Sequence, residues 1–333
     1  MDRDNPLMDR RTFIGSFAGG LLATPHLLHA QQPALPVVGF VRSTPSAPFA
    51  HLVTAFREGL DETGFVEGKS VKVEYRWADN HLDRLPVFAA DLIRRQVAVI
   101  VGNSPAAEAA KSATATIPIV FVTSDDPVTR GLVDSLSRPS GNVTGITFFG
   151  GGKLGAKRLE LLTELVPKAT VVGFLMQPNW PGSIAELPEV EMAARALGRR
   201  IIVVKAASNR EFESAFATLV DAGARALVVS GSPFFSSQRR ELVALTARHA
   251  IPAIYDLQEY VTIGGLMSYA GSLTASYHQA GVYAGRILRG AKPSELPVMQ
   301  PTAFALSINM KTAKALGLTV PQSLMLRADE VIQ

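Results

Sequence analysis

Side chains able to do chemistry gather at the ends of short apolar runs. Ser43-Thr44 follows residues 37–42, Asn103-Ser104 follows 97–101, and Thr123-Ser124-Asp125-Asp126 closes 117–123. The pattern returns later: Gln177-Pro178-Asn179-Trp180 follows 171–176, Ser230-Gly231-Ser232 follows 226–229, and Asp256 follows 251–255. Ser104 and Ser232 each precede a proline, the residue suited to a first helical position. A helix start offers free N–H groups and partial positive charge, which suit a carboxylate. The same serines also read as plain N-caps. Asp125, Asp126 and Asp256 have the charge to pair with an ammonium group, or to serve as first-turn acids or solvated turns. Trp180 is placed to stack on a flat side chain or to pack on Pro178 and Pro181, and Tyr269 to close the rear. The expected ligand is a small zwitterion or carboxylate, an amino acid first. Ser43, Thr44, Asn103, Ser104, Thr123, Gln177, Asn179, Ser230 and Ser232 complete the expected contacts.

Other motifs point elsewhere. Gly150-Gly151-Gly152-Lys153-Leu154-Gly155 fits G-x-G-x-x-G, but the acid a dinucleotide fold needs about 20 residues on is replaced by Leu175-Met176-Gln177. It reads as a hinge and helix start. Gly102-Asn103-Ser104-Pro105-Ala106 resembles a nucleophile elbow with its last Gly replaced. A serine-type hydrolase using Ser104 is therefore the alternative, and it needs an Asp and then a His downstream. Of the candidates, His249 reads as a helix end away from the strand ends, leaving His278. His51 and His81 show no metal spacing. No catalytic residue, metal or cofactor is expected.

The elements that must position these groups alternate strictly. Strands read at 37–42, 71–77, 97–101 and 117–123, with helices between them. A second series runs at 171–176, 201–205, 226–229 and 251–255, and Ser208 with Glu211 reads as a capping box. Strands separated by helices imply right-handed β-α-β units and a parallel sheet. Val99-Ile100-Val101-Gly102-Asn103-Ser104-Pro105 parallels Leu227-Val228-Val229-Ser230-Gly231-Ser232-Pro233, an offset of about 130 residues. Two Rossmann-like lobes then face each other. Ligands of such sheets lie beyond the strands' carboxyl ends, which makes one cleft.

The chain has 333 residues, 47% hydrophobic and 19% charged, enough for about two domains with ample core. Its net charge of +4 is spread in short pairs, not gathered on one face, so nucleic acid is not an expected partner. Cysteine is absent, which excludes disulfides and thiolate chemistry. Arg10-Arg11-Thr12-Phe13 opens an apolar run over 13–28, followed by Leu28-His29-Ala30. The run is short of the ~20 residues that span a bilayer. It reads as a signal peptide, residues 1–30, cleaved after Ala30, exported by the twin-arginine or the general secretory route, with Met1 or Met8 as the start.

Several segments taken in order resemble a known family. They are Phe56-Arg57-Glu58-Gly59-Leu60, Arg138-Pro139-Ser140-Gly141-Asn142-Val143-Thr144-Gly145, Ser232-Pro233-Phe234-Phe235, Ala250-Ile251-Pro252-Ala253-Ile254-Tyr255, Gly264-Gly265-Leu266-Met267-Ser268-Tyr269, and Ile308-Asn309-Met310-Lys311 with its continuation to Leu318. The chain is similar to periplasmic substrate-binding proteins of ABC importers, in the branch with tryptophan- and other aromatic-amino-acid-binding members. Gln177-Pro178-Asn179-Trp180 stands where that family often has an Asn-rich loop. The resemblance implies an α/β type I periplasmic binding protein fold, with parallel sheets joined by a three-crossover hinge near 147, 260 and 304. Lobe 1 would hold 36–147 plus 260–303, and lobe 2 would hold 148–259 plus 304–333. It further implies a periplasmic monomer that closes on a small-molecule ligand and docks on an ABC permease in the inner membrane. A ligand-binding component of a sensory system is the other non-enzymatic reading.

Overall fold

The computed structural model describes residues 34–148, 154–301 and 303–333. The expected signal peptide and the Gly150–Lys153 motif therefore lie outside the described residues. In the first lobe β1 (Val37–Arg42), α1 (Ala50–Glu62), β2 (Lys72–Trp77), α2 (Leu85–Arg94), β3 (Val99–Asn103), α3 (Ser104–Ala113), β4 (Ile119–Thr123) and β5 (Val143–Thr147) follow one another. The strands pair in parallel in the order β2-β1-β3-β4-β5. Val38, Phe40, Val99, Val101 and Val120 are fully buried, as strands covered by helices on both faces require.

The second lobe begins with α4 (Leu154–Leu165), β6 (Val171–Met176), α5 (Pro181–Ala196), β7 (Arg200–Lys205), α6 (Phe212–Asp221) and β8 (Ala226–Val229). It continues with α7 (Pro233–Ser237), α8 (Arg239–Arg248), β9 (Ala253–Tyr255), α9 (Gln258–Val261) and β10 (Met267–Ala270). Its sheet runs β7-β6-β8-β9-β10, the same order as the first, and is then extended by β11 (Ala305–Asn309), antiparallel to β10, and β12 (Glu330–Ile332). Between β10 and β11 lies α10 (Leu273–Leu288); α11 (Met310–Ala315) and α12 (Gln322–Met325) lie between β11 and β12.

The α10 helix packs on α1 and on β3, β4 and β5, so it belongs with the first lobe. Its approach to α1 needs glycine: a Cβ on Gly59 would lie 1.9 Å from the His278 carbonyl oxygen, and one on Gly281 would lie 2.1 Å from that of Phe56. The chain returns to the first lobe after β10, at Gly271. Residues 260–270 stay with the second lobe because β10 fills the place there that β5 fills in the first. Met299 pairs with Ile146 on the first sheet, and its carbonyl accepts from the Thr147 amide at 2.8 Å. A Cβ on Gly271 would meet the Phe148 carbonyl oxygen at 3.2 Å and Pro301 Cβ at 3.4 Å. The three crossing strands thus touch at one point.

The strand-end loops of the lobes are in contact. Asn80 Nδ2 donates to Ser237 Oγ at 3.0 Å, the Arg239 guanidinium donates to the Pro48 carbonyl, and His51 Nε2 lies 3.3 Å from Glu259 Oε1. The cleft is closed. Among the described residues no helix is long and apolar enough to cross a membrane.

Candidate functional site

A cavity of about 320 Å³ lies in the cleft, within the ~300–1,000 Å³ range of small-molecule sites. The first lobe contributes the loop after β4, from Ser124 to Arg130, and Phe148 at the first crossing. The second contributes α4 through Gly155 and Arg158, the first turns of α5 through Gly182, Glu186 and Glu189, then Gly231, Asp256 and Gly271. Five acidic residues line it against two arginines. Arg158 is committed to Glu186 by an ion pair, and Arg130 is bonded to Glu108.

Two of the acids are buried without a full set of partners. Asp125 is 7% exposed. Its Oδ2 makes no hydrogen bond to a described residue, and Arg130 Nε is 3.8 Å away. Burial pushes its carboxyl up to about 6, with Arg130 opposing. Asp256, 8% exposed, has an unpartnered Oδ1. Burial raises it to about 7 and the Arg158 charge opposes. Nearby acids add to both rises. One comes from each lobe, and a cationic group between them would satisfy both. Asp126 differs: its Oδ1 accepts from the Val128 amide at 2.9 Å and its Oδ2 from Thr129 Oγ1 at 2.8 Å, the turn role that was one of its two expected readings.

The other expected contacts divide. Asn103 Oδ1 accepts from the Ser43 amide at 3.0 Å, and its Nδ2 donates to Ser43 Oγ at 2.7 Å. This pair locks the β1 and β3 loops together. Ser104 is not the cap of α3: Asn103 holds that position, and Ser104 Oγ donates to Thr123 Oγ1 at 2.7 Å. Ser232 is a true cap, its Oγ accepting from the Phe235 amide at 3.0 Å. Thr44 accepts from Arg42 Nε at 3.2 Å, and Ser230 Oγ bonds Ser183 Oγ at 2.8 Å. Thr44, Thr123 and Ser230 are spent inside the loops and line no cleft cavity, while Asn179 is exposed in its turn. Tyr269 lies on β10 beside Phe304, ring centroids 6.0 Å apart, and does not reach the cleft. The Ser208–Glu211 box does not form: the Ser208 side chain caps nothing, and Glu211 accepts from the Ala207 amide, one residue before the cap.

Trp180 is neither an exposed loop residue nor a free stacking face. It is 6% exposed, with the Arg130 guanidinium 5.0 Å from its ring centroid across the cleft. It helps to line a further cavity of about 280 Å³, together with Ser43, Asn80, Gln177 and Phe234. A small inner cavity of about 40 Å³ lies behind, against Asn103, Ser104 and Ser232. Arg42, Arg130, Arg158 and Glu186 were not anticipated. The usable signal was an arginine ending a buried strand at 42 and one interrupting the apolar face of a helix at 158.

Residues 43–332 match the profile of the family described as ABC transporter substrate binding protein. The chain belongs to that family. A tyrosine-binding protein of Clostridioides difficile (strain R20291) is 27% identical over 271 residues, covering 79% of this chain and 75% of the relative. Among solved structures, a conserved domain protein of Vibrio cholerae superposes with a TM-score of 0.80 at 24% identity, covering 89% of this chain and 99% of its own. An ABC domain from Streptococcus pneumonia in complex with L-Trp gives 0.79 at 24% identity, covering 90% and 100%. The ligand-free, open structure of a substrate binding protein with adhesive properties from Clostridium difficile gives 0.63 at 24% identity, covering 90% and 100%. The fold is therefore that of type I periplasmic binding proteins. An ABC transporter substrate-binding protein binds a solute and is not an enzyme. The hydrolase alternative also fails locally: Ser104 donates to Thr123, His249 stacks on Phe216 with centroids 5.5 Å apart, and His278 faces Glu62.

Proposed function

We propose that the chain is the extracytoplasmic receptor of an ABC importer for a small molecule with a cationic amine, an aromatic amino acid first. The carrying observation is the pair of buried carboxyls, Asp125 and Asp256, facing one cavity from opposite lobes. An ammonium bridging them favours the closed state alone, and only such differential binding drives closure. Phe148 supplies an apolar wall for the rest of the ligand. The names of the relatives support the choice of amino acid, one tyrosine-binding and one holding L-Trp. At equal identity, the likeness is greater to the L-Trp complex than to the open, ligand-free structure, as a closed cleft would give. Residues 1–30 act in this reading as a cleaved export signal, and the closed monomer delivers its ligand to an inner-membrane permease.

The test is a thermal-shift screen of the protein beginning at Gln31 against the amino acids and small carboxylates, followed by calorimetry of the hits. Stabilisation grows as RT ln(1 + [L]/Kd), about 2.7 kcal/mol at 100 times Kd. Tyrosine or tryptophan should raise the melting temperature, and an anion without an amine should not. A panel in which only amine-free carboxylates stabilise refutes this reading.

A further inference from the structure

Arg42 ends β1 and does not line the acidic cavity, yet its charge is deeply buried. It is 3% exposed. Its Nε donates to Thr44 Oγ1 at 3.2 Å and one Nη donates to Tyr277 Oη. The guanidinium lies 4.3 Å from the Phe49 ring centroid and 5.0 Å from that of Tyr277. Every one of these partners is neutral. No carboxylate of a described residue comes within 4.0 Å of it. Glu259 is the acid whose field it feels, with Arg239 opposing, and Glu259 itself faces His51 at 3.3 Å. A guanidinium stays protonated in proteins, so this is a buried cation without an anion, an arrangement that burial penalises heavily unless an anion joins it.

The space beside it is the inner cavity, about 40 Å³, lined by Arg42 and Tyr277 together with Asn103, Ser104 and Ser232. That volume holds more than the 10–15 Å³ one water needs. Ser124, Phe148 and Asp256 line both the inner and the main cavity, so the two adjoin there. Asp256 marks the boundary. An α-amino acid carries its two charges on one carbon, and at this boundary its ammonium would meet Asp256 while its carboxylate met Arg42.

We propose that Arg42 is the carboxylate anchor of the site, setting the receptor's preference for α-amino acids over simple amines. This rests on the receptor reading above. Arg42 binds the α-carboxylate from the inner cavity, the ammonium lies between Asp256 and Asp125, and the side chain extends along Phe148 into the main cavity. Tyr277, bonded to Arg42, positions the guanidinium.

The probes are L-tyrosine and L-tryptophan, with tyramine and tryptamine, the same molecules lacking the carboxylate. Calorimetry of the wild-type protein should show the amino acid binding at least tenfold more tightly than its amine. Arg42→Gln should weaken the amino acid ten- to a hundredfold, the range of a charge-assisted hydrogen bond, and the amine less than twofold. Tyr277→Phe keeps the ring in place and should show the same selective loss in smaller measure, which covers the case where Arg42→Gln does not fold. Equal binding of tyramine and tyrosine by the wild type, or equal losses for both in the folded variants, overturns the inference and leaves the receptor reading standing. No binding of either amino acid by the wild type overturns both.

Discussion

Asp256 gives the sharpest handle on the site, because its burial makes a quantitative claim about stability against pH. Its carboxyl rises from an ordinary 3.8 to about 7, through desolvation first and against the pull of Arg158. At about 1.36 kcal/mol per pH unit, that rise corresponds to ~4 kcal/mol against the ionised form in the folded, ligand-free protein. The sign follows from proton counting. Between pH ~4 and ~7 the folded state holds the proton and the unfolded state has released it, so stability falls as pH rises through this window. Below it both states are protonated, and above it both are ionised with the full penalty in place. Asp256→Asn removes the titration while keeping the shape. Whatever constant cost the new amide brings shifts the variant's curve without tilting it. Urea unfolding at intervals from pH 4 to pH 8 should therefore show the variant gaining on the wild type by ~4 kcal/mol across the range. Asp125 contributes a similar fall up to pH ~6 in both proteins and cancels from the difference. Saturating amine ligand should shrink the gap, because an ammonium stabilises the ionised carboxylate. Curves that stay parallel from pH 4 to pH 8 would refute the claim that Asp256 is an unpaired buried acid.

Three further outcomes are expected. Gly182→Ala places a Cβ 2.2 Å from Asp125 Oδ1, so it should oppose closure. Ligand affinity should drop by about tenfold, ~1.4 kcal/mol, and solution scattering should give a larger radius of gyration at saturating wild-type ligand concentration; unchanged binding would mean the lobes do not meet there. Gly281→Ala drives a Cβ to 2.1 Å from the Phe56 carbonyl oxygen and should cost about 1–3 kcal/mol by overpacking, read as a lower urea midpoint with or without ligand. Arg10→Lys with Arg11→Lys should leave precursor in the cytoplasm if the twin-arginine route is used, and N-terminal sequencing of the exported wild type should begin at Gln31.

The alternation of strand and helix was readable because most central parallel strands are apolar runs, β2 alternates, and the helices carry an apolar stripe, and these patterns survive in one dimension. The duplicated order β2-β1-β3-β4-β5 and β7-β6-β8-β9-β10 was foreshadowed by the matched strand–Ser-Pro segments. The second crossing, which the resemblance put near 260, could not be read from the pattern, because β10 is only Met267–Ala270, too short to show a period. At the site, residue type told what a side chain can do but not where its hydrogen bonds go. Ser43 with Asn103, and Ser104 with Thr123, have the chemistry to hold a ligand and instead hold each other. The acids Asp125 and Asp256 drew notice because strand ends are where sheet loops converge. Arg158 and Glu186 were missed because their pairing joins α4 to α5, and no sequence spacing records that contact.

The placing of charge on the two lobes explains why the cleft should respond to its ligand at all. Asp125 moves with the first lobe and Asp256 with the second, and both line one cavity. When both ionise in the closed protein without a cation, the desolvation of each acts against closure. Opening returns water to both groups and relieves that cost. A bridging ammonium relieves it without opening, so the ligand's contribution to closure includes the penalty it cancels as well as the contacts it makes. A neutral analogue of the same shape would fill the same space beside Phe148 and leave the penalty in place. The receptor would then discriminate by charge before shape. The three crossings meeting at Phe148, Gly271 and Pro301 suit this task, because rotation at one point turns a local charge balance into movement of whole lobes.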